Sequence, residues 1–207
     1  MSEPHQPVSK VSQSVSGVTS ASLLHKVQAH DPDAWNRLVR LYSPLVFHWC
    51  RKAGLNAEDA ADVVQNVFLG VATRVSDFRR ESATDSFRGW LRTICKYKIA
   101  DHFRAAANRP EATGGSTAHQ NLMQFADDDT TTNAESTDDR GRLLTAALEI
   151  VRNDFAPTTW EAFRLYAVQG KAAPEVATAL GISLDTVYQA KARVLRRLRE
   201  EFEQLLD

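Results

Sequence analysis

Apolar residues recur at spacings of three and four through most of the chain, and nowhere do they alternate over the length of a strand. Trp35, Leu38, Val39, Tyr42, Leu45, Val46 and Trp49 form one helical face. Asp31-Pro32 opens that helix, because Asp is a good N-cap and Pro fits the first turn, and Gly54 ends it. Asn56 caps the next, with Glu58 and Asp59 where the helix dipole favours acids; its stripe is Ala60, Val63, Val64, Val67, Phe68, Val71 and Val75. A charged, turn-like stretch follows from Ser76 to Asp85. A third helix is predicted from about Ser86 to Ala107, with Phe87, Trp90, Leu91, Ile94 and Phe103 on one side, stopped by Asn108-Arg109-Pro110.

Periodicity vanishes over residues 111–141, which hold Gly114-Gly115, a Thr/Asn/Ser-rich run and Asp127-Asp128-Asp129. A structureless segment that long rarely lies inside one compact domain. The pattern resumes with Leu143, Leu144, Ala147, Leu148 and Val151, then Trp160, Phe163 and Leu165. A short helix near Pro174–Leu180, a turn at Gly181-Ile182-Ser183 and a final helix from Leu184 close the chain, the last lined by Val187, Val194, Leu198, Phe202 and Leu205. Residues 1–22 hold seven serines and no aromatic, and read as a disordered tail. The expectation is an all-α protein of two small helical domains, 23–110 and 142–207, joined by a flexible acidic linker, 111–141.

Charge refines this picture. The 207 residues carry a net charge of -1, which argues against a polyanion partner, but the total hides its distribution. Residues 23–110 are net +5, residues 111–141 net -6 and residues 142–207 net zero. No apolar run approaches a membrane span, and the polar N-terminus is no secretory signal; a cytoplasmic location is the default. Cys50 and Cys95 are too few for a disulfide framework or a four-cysteine zinc site. His48 and Cys50 lie two apart on a helix committed to its core stripe, so no metal and no cofactor is expected. Glycine-rich phosphate loops, His-Glu-x-x-His and nucleophile elbows are missing from the sequence, so an enzyme is not expected.

The sharpest local motif is Glu175 to Val187. Two short amphipathic helices meet at a turn in which Gly181 can take the left-handed conformation and Ser183 can cap the second helix. Val176, Ala177, Leu180, Ile182 and Val187 would fill a small core. This is the arrangement that sets a second helix in the DNA major groove. Thr186, Tyr188, Gln189, Lys191, Arg193, Arg196 and Arg197 lie off its apolar stripe and could read bases or hold phosphates; the plain alternative is a helical hairpin with a solvated basic face. Between residues 86 and 109, basic and aromatic side chains interleave, a pattern suited to unpaired bases but also common in ordinary cores. Asp59, Asp62, Gln65 and Asn66 make a polar face beside the second helix's stripe.

Together these segments resemble the sigma factors of bacterial RNA polymerase. Asp62-Val-Val-Gln65-Asn66-Val-Phe68 is similar to their Asp-x-Val-Gln-Glu-x-Phe core-polymerase-binding segment, and Phe87-Arg88-Gly89-Trp90-Leu91-Arg92-Thr93-Ile94 to the Phe-x-x-Trp-Leu-x-x-Ile that follows their promoter-melting loop. The two-domain layout resembles the extracytoplasmic-function group of the sigma-70 family. The resemblance implies docking on the clamp helices of the polymerase's largest subunit through Asp59, Asp62, Gln65, Asn66 and Phe68, with further contact to the second subunit's flap. It implies capture of minus-ten bases by Phe78, Phe87, Arg88, Trp90, Arg92, Lys96, Tyr97, Lys98 and Arg104. It also implies readout of the minus-thirty-five element by Thr186, Tyr188, Gln189, Lys191, Arg193, Arg196 and Arg197. Its partners would be core polymerase, promoter DNA and an anti-sigma factor, with no membrane insertion. Asn66 stands where the family has Glu, and Tyr188-Gln189-Ala190-Lys191 replaces a common Lys/Arg-Ser-Arg pattern. The runner-up is a helix-turn-helix regulator that binds duplex DNA without acting as a sigma subunit.

Overall fold

Asp31 caps the long helix that organises the molecule. Its carboxylate accepts from the amides of Asp33 (2.9 Å) and Ala34 (3.1 Å), satisfying two donors that a helix start leaves open. The computed structural model describes residues 23–79, 86–107 and 137–202. In it α1 is Leu23–Gln28, α2 Pro32–Lys52, α3 Ala57–Arg74, α4 Phe87–Ala107, α5 Thr137–Val151, α6 Pro157–Phe163, α7 Ala173–Leu180 and α8 Leu184–Phe202. The described residues contain no strand, and the all-α expectation holds. None of their helices is long and apolar enough to cross a membrane. The expected tail, most of the expected linker and Leu205 lie outside the described residues.

Three predicted starts agree with the structure closely. Asn56 Oδ1 accepts from the Asp59 amide at 2.8 Å, and Asn56 Nδ2 donates to the Asp59 carboxylate at 2.8 Å. The third helix begins at Phe87, where Ser86 Oγ accepts from the Gly89 amide. α1 was not expected, because six residues are too few to show a period. It ends on His30 in the left-handed region (φ 61°), and Leu23, Leu24 and Val27 bury its apolar side.

Helices α2, α3 and α4 pack around an interior of Leu38, Leu41, Tyr42, Leu45, Trp49, Val67, Val71, Leu91 and Ile99. α2 runs through Pro44, which removes one helical hydrogen bond. Gly70 faces α4, and a side-chain carbon there would sit 3.4 Å from Ile94 Cγ2. Cys50 and Cys95 are both buried, on α2 and α4. The hydrogen bond between them, and then burial, push the Cys95 thiol well above its ordinary range. Neither thiol is therefore expected to react with 5,5′-dithiobis(2-nitrobenzoate) in the native chain, and both should react in denaturant.

The described helices of the second half pack against those of the first. α5 starts at Thr137, five residues inside the segment read as linker. Asp138 and Asp139 looked like more of an acidic spacer, but they occupy the first helical turn, where the dipole favours them. α5 then packs against α2, and Leu143, Ala147, Ile150, Val151, Phe163, Val194, Leu198 and Phe202 join the same hydrophobic cluster as the first three long helices. The two halves share one core. A second, smaller core holds Ala162, Leu165, Ala173, Val176, Val187 and Ala190 under α6, α7 and α8.

Candidate functional site

Three surfaces carry the candidate residues. On α3, the apolar stripe turned inward leaves Asp62, Gln65 and Asn66 exposed on the opposite side. Asn66 Nδ2 donates to the Asp62 carbonyl at 3.0 Å, which leaves the Asp62 carboxylate facing solvent. Asp59 lies at the edge of this face, 3.6 Å from His102 Nε2 of α4. Phe68 is buried with its ring edge-on to Trp35, so it positions α3 instead of offering a contact. Leu69 was missed. It is 66% exposed and stands one helical repeat beyond Asp62, which adds an apolar contact to the polar face. The signal was present: Leu69 is the one large apolar residue of α3 that falls off the stripe.

The second surface is α4. Phe78 and Phe87 are interior, stacked edge-on at 5.5 Å between centroids, with Tyr42 and Trp90 completing an aromatic cluster. Arg88 is also buried. These three were expected to meet bases; in this conformation all are buried, Phe78 and Phe87 within the hydrophobic core. Trp90 is half-buried. Arg92 lies over the Trp49 ring, 5.6 Å from its centroid, and 3.7 Å from Asp139. Tyr97 stays 63% exposed between half-exposed Lys96 and Lys98, and exposed Arg104 pairs with Asp101 at 2.8 Å. A stackable ring flanked by two ammonium groups suits a single strand.

The third surface is the turn between α7 and α8. Gly181 has φ 63°, the left-handed value that a side chain would strain, and the Ile182 amide donates to the Ala177 carbonyl at 3.0 Å. Ser183 Oγ accepts from the Thr186 amide at 3.1 Å. Val176 and Val187 are buried, with Ala177, Leu180 and Ile182 packed against them. Along α8, Thr186, Tyr188, Gln189, Lys191, Arg193 and Arg196 are exposed. Gln189 bonds Asp185 at 2.5 Å and Arg193 reaches Gln189 at 3.5 Å, so these side chains already share one face. Tyr166 supports the helix, its ring edge-on to Tyr188 and beneath the Lys191 ammonium. Arg197 is not on this surface. It turns into the seam between the halves, paired with Asp154 at 2.9 Å and with Glu201.

That seam is polar and partly exposed. Arg37 of α2 meets Glu201 and lies 3.9 Å from Asp154. Burial pulls the Arg37 guanidinium down, but its bond to Glu201 and the nearby carboxylates outweigh this and raise it above its ordinary value. Around α2 and α5, His48, Asp138 and Asp139 each bring one ligand atom within 4.8 Å of the others. Cys50, two residues from His48, is buried. The carboxylates of that trio already face cations of the protein: Asp139 faces Arg92, and Asp138 meets Arg142 at 3.2 Å.

The sigma-70 region 2 family matches residues 38–109, the span of α2 to α4. An ECF RNA polymerase sigma factor of Streptomyces coelicolor, BldN, is 27% identical over 176 residues, which take in 85% of this chain and 63% of that protein. The chain thus spans under two thirds of that relative's length. It is also similar to CnrH, solved in complex with the cytosolic domain of CnrY, at 23% identity over 85% of this chain and 92% of that one, with a TM-score of 0.35. The exposed Asp62–Gln65 face and most of the α2–α4 span lie within the region that matches the sigma-70 region 2 family.

Proposed function

We propose that this chain is a promoter-specificity subunit that binds core RNA polymerase in the cytoplasm and directs initiation at a particular set of promoters. The observation that carries the reading is the α3 face. Asp62, Gln65 and Asn66 are exposed in a row that the interior does not need, on a helix inside the family match. In the same reading α4 holds melted minus-ten DNA through Tyr97, Lys96, Lys98 and Arg104, with Trp90 and Arg92 beside them. Bases stack on the exposed ring while the cationic groups follow the backbone, which offsets the few kcal/mol lost on unstacking. α8 enters the major groove at the minus-thirty-five element with Thr186, Gln189 and Arg193 towards base edges and Tyr188, Lys191 and Arg196 at its flanks. No catalytic group is assigned; the chemistry belongs to the polymerase. The linker's negative charge suits a path over basic surfaces, and an anti-sigma factor is a fitting further partner. The clamp helices of the largest subunit are the proposed dock for α3, and the second subunit's flap that for the C-terminal half.

The test is reconstitution. Purified chain should co-elute with core polymerase and support promoter-dependent transcripts from fragments recovered by sequencing transcripts after overexpression. A chain that neither co-elutes nor starts any transcript defeats the reading, and duplex binding without polymerase binding would favour the helix-turn-helix regulator. For base readout, Gln189→Ala or Arg193→Ala is expected to cost about 1–3 kcal/mol at particular base pairs. Arg196→Ala should weaken all sequences alike and flatten the salt dependence. Competition binding over a library of single-base variants separates the two behaviours.

A further inference from the structure

Asp185 stands in the first turn of α8, at the end that a recognition helix puts into the major groove. It is exposed, and it is an acid on a face whose other long side chains are cationic or neutral. The buried stripe of α8 includes Val187, Ala190, Val194 and Leu198. At about 100° per residue, Asp185 and Gln189 lie on the opposite side, so neither supports the core. Ala192, also exposed on that side, is too small to hold the helix off a base edge.

The neighbours of Asp185 fix what this face can read. Asp185 Oδ2 accepts from Gln189 Nε2 at 2.5 Å, and Gln189 Oε1 lies 3.5 Å from Arg193 Nη2. A carboxylate only accepts and a guanidinium only donates, so the Gln189 amide has one orientation between them. Its nitrogen turns to the helix start and its oxygen to Arg193. The row therefore presents an acceptor first and donors after it. Donors on major-groove base edges are few: the N4 amino group of cytosine and the N6 amino group of adenine. Adenine sets N7, an acceptor, beside its amino group, while guanine presents two acceptors and thymine a carbonyl oxygen and a methyl group. A carboxylate pressed on those edges loses water without gaining a clean bond, whereas cytosine N4 can meet it.

We infer that Asp185 sets the specificity of α8: it selects cytosine at the base pair it faces, and it is the positioning residue that holds the Gln189 amide in one orientation. This role rests on the reading of α8 as a major-groove helix and deepens it. Selection works by exclusion as much as by attraction. The carboxylate is repelled by the phosphates of any duplex, so it lowers affinity for all sequences, and a matched cytosine offsets that loss. Gln189 discriminates at the neighbouring base pair because Asp185 removes its other orientation. Freed of Asp185, the amide can turn over and meet adenine or guanine alike.

The test uses the full chain on core polymerase, in competition over duplexes that carry every single-base variant of a promoter recovered by transcript sequencing. The wild type is expected to prefer cytosine about tenfold at one position of the minus-thirty-five element, and Asp185→Ala to cut that preference below about threefold. Asp185→Ala should also bind mixed-sequence duplex more tightly and blur the choice at the adjacent position. Asp185→Asn keeps the size but can donate as well as accept, so it too should lose the cytosine preference; it decides the matter if Asp185→Ala loses its helical circular dichroism. An acid that served only the helix start would, on removal, weaken all sequences alike. A uniform loss, or a cytosine preference unchanged in both variants, overturns the role of Asp185 while wild-type discrimination leaves the DNA reading standing. If the wild type does not co-elute with core polymerase, the sigma-factor reading fails, and the chain alone is put to the same duplexes with the same expectation for Asp185. A wild type without base preference in that element in either form overturns both the DNA reading and the role of Asp185.

Discussion

Substituting Asp62 and Gln65 together with alanine is expected to weaken binding to core polymerase by about 10- to 100-fold, and to leave the fold intact. Both side chains are exposed on α3, and neither supports another element. Interface residues that matter cost more than about 1 kcal/mol each when truncated, and every 1.4 kcal/mol is tenfold. Titration of labelled protein against core polymerase measures the loss, and circular dichroism checks the fold. Binding of the isolated recognition surface to duplex DNA should survive. A double variant that loses helical signal would mean that this face is structural, and one that binds polymerase normally would move the dock elsewhere. Leu69→Ser belongs in the same series, since its exposed side chain has no partner in the interior to lose.

The second large effect is on stability. Trp49→Ala should lower the unfolding free energy by about 3–5 kcal/mol, a large part of the 5–15 kcal/mol that holds a typical domain together. Trp49 is 1% exposed, and its removal opens a cavity between α2 and α5. It also strips Asp139 of its hydrogen-bond donor, leaving a buried carboxylate with one partner fewer. Urea titration measures the change. Trp49→Phe, which refills most of the volume without the N–H, should recover much of it and so separates packing from the hydrogen bond. A loss below about 1 kcal/mol for Trp49→Ala would show that the seam contributes little to the native state.

How the helices begin was legible because caps are local chemistry. Asp31, Asn56 and Gly181 act within a few residues of themselves, and each does in the structure what its type and position suggest. The polar face of α3 was legible for a related reason: a helix that buries one stripe must expose the other. Burial of Phe87 fits its place on the apolar side of α4; burial of Phe78 and Arg88 was not legible, because period alone does not say how wide an apolar face is. Arg197 shows the same limit. It lies off the stripe of α8, yet the fold brings Asp154, 43 positions away, to meet it. The role of Asp139 was hidden most completely. In the sequence it is one acid in an acidic run, and only the fold brings Trp49 and Arg92 to it.

The Trp49–Asp139 contact also has a place in time. Its partners are separated by 90 positions, and ribosomes add roughly 5–20 residues per second. The first three long helices, which end at Ala107, are therefore made about 2–9 s before α5 is complete at Val151. Closing a loop of that length adds an entropic cost that grows only slowly with length, so the delay is set by synthesis more than by search. Each newly made molecule passes once through an open form, with Arg92 uncovered, before its own second half arrives.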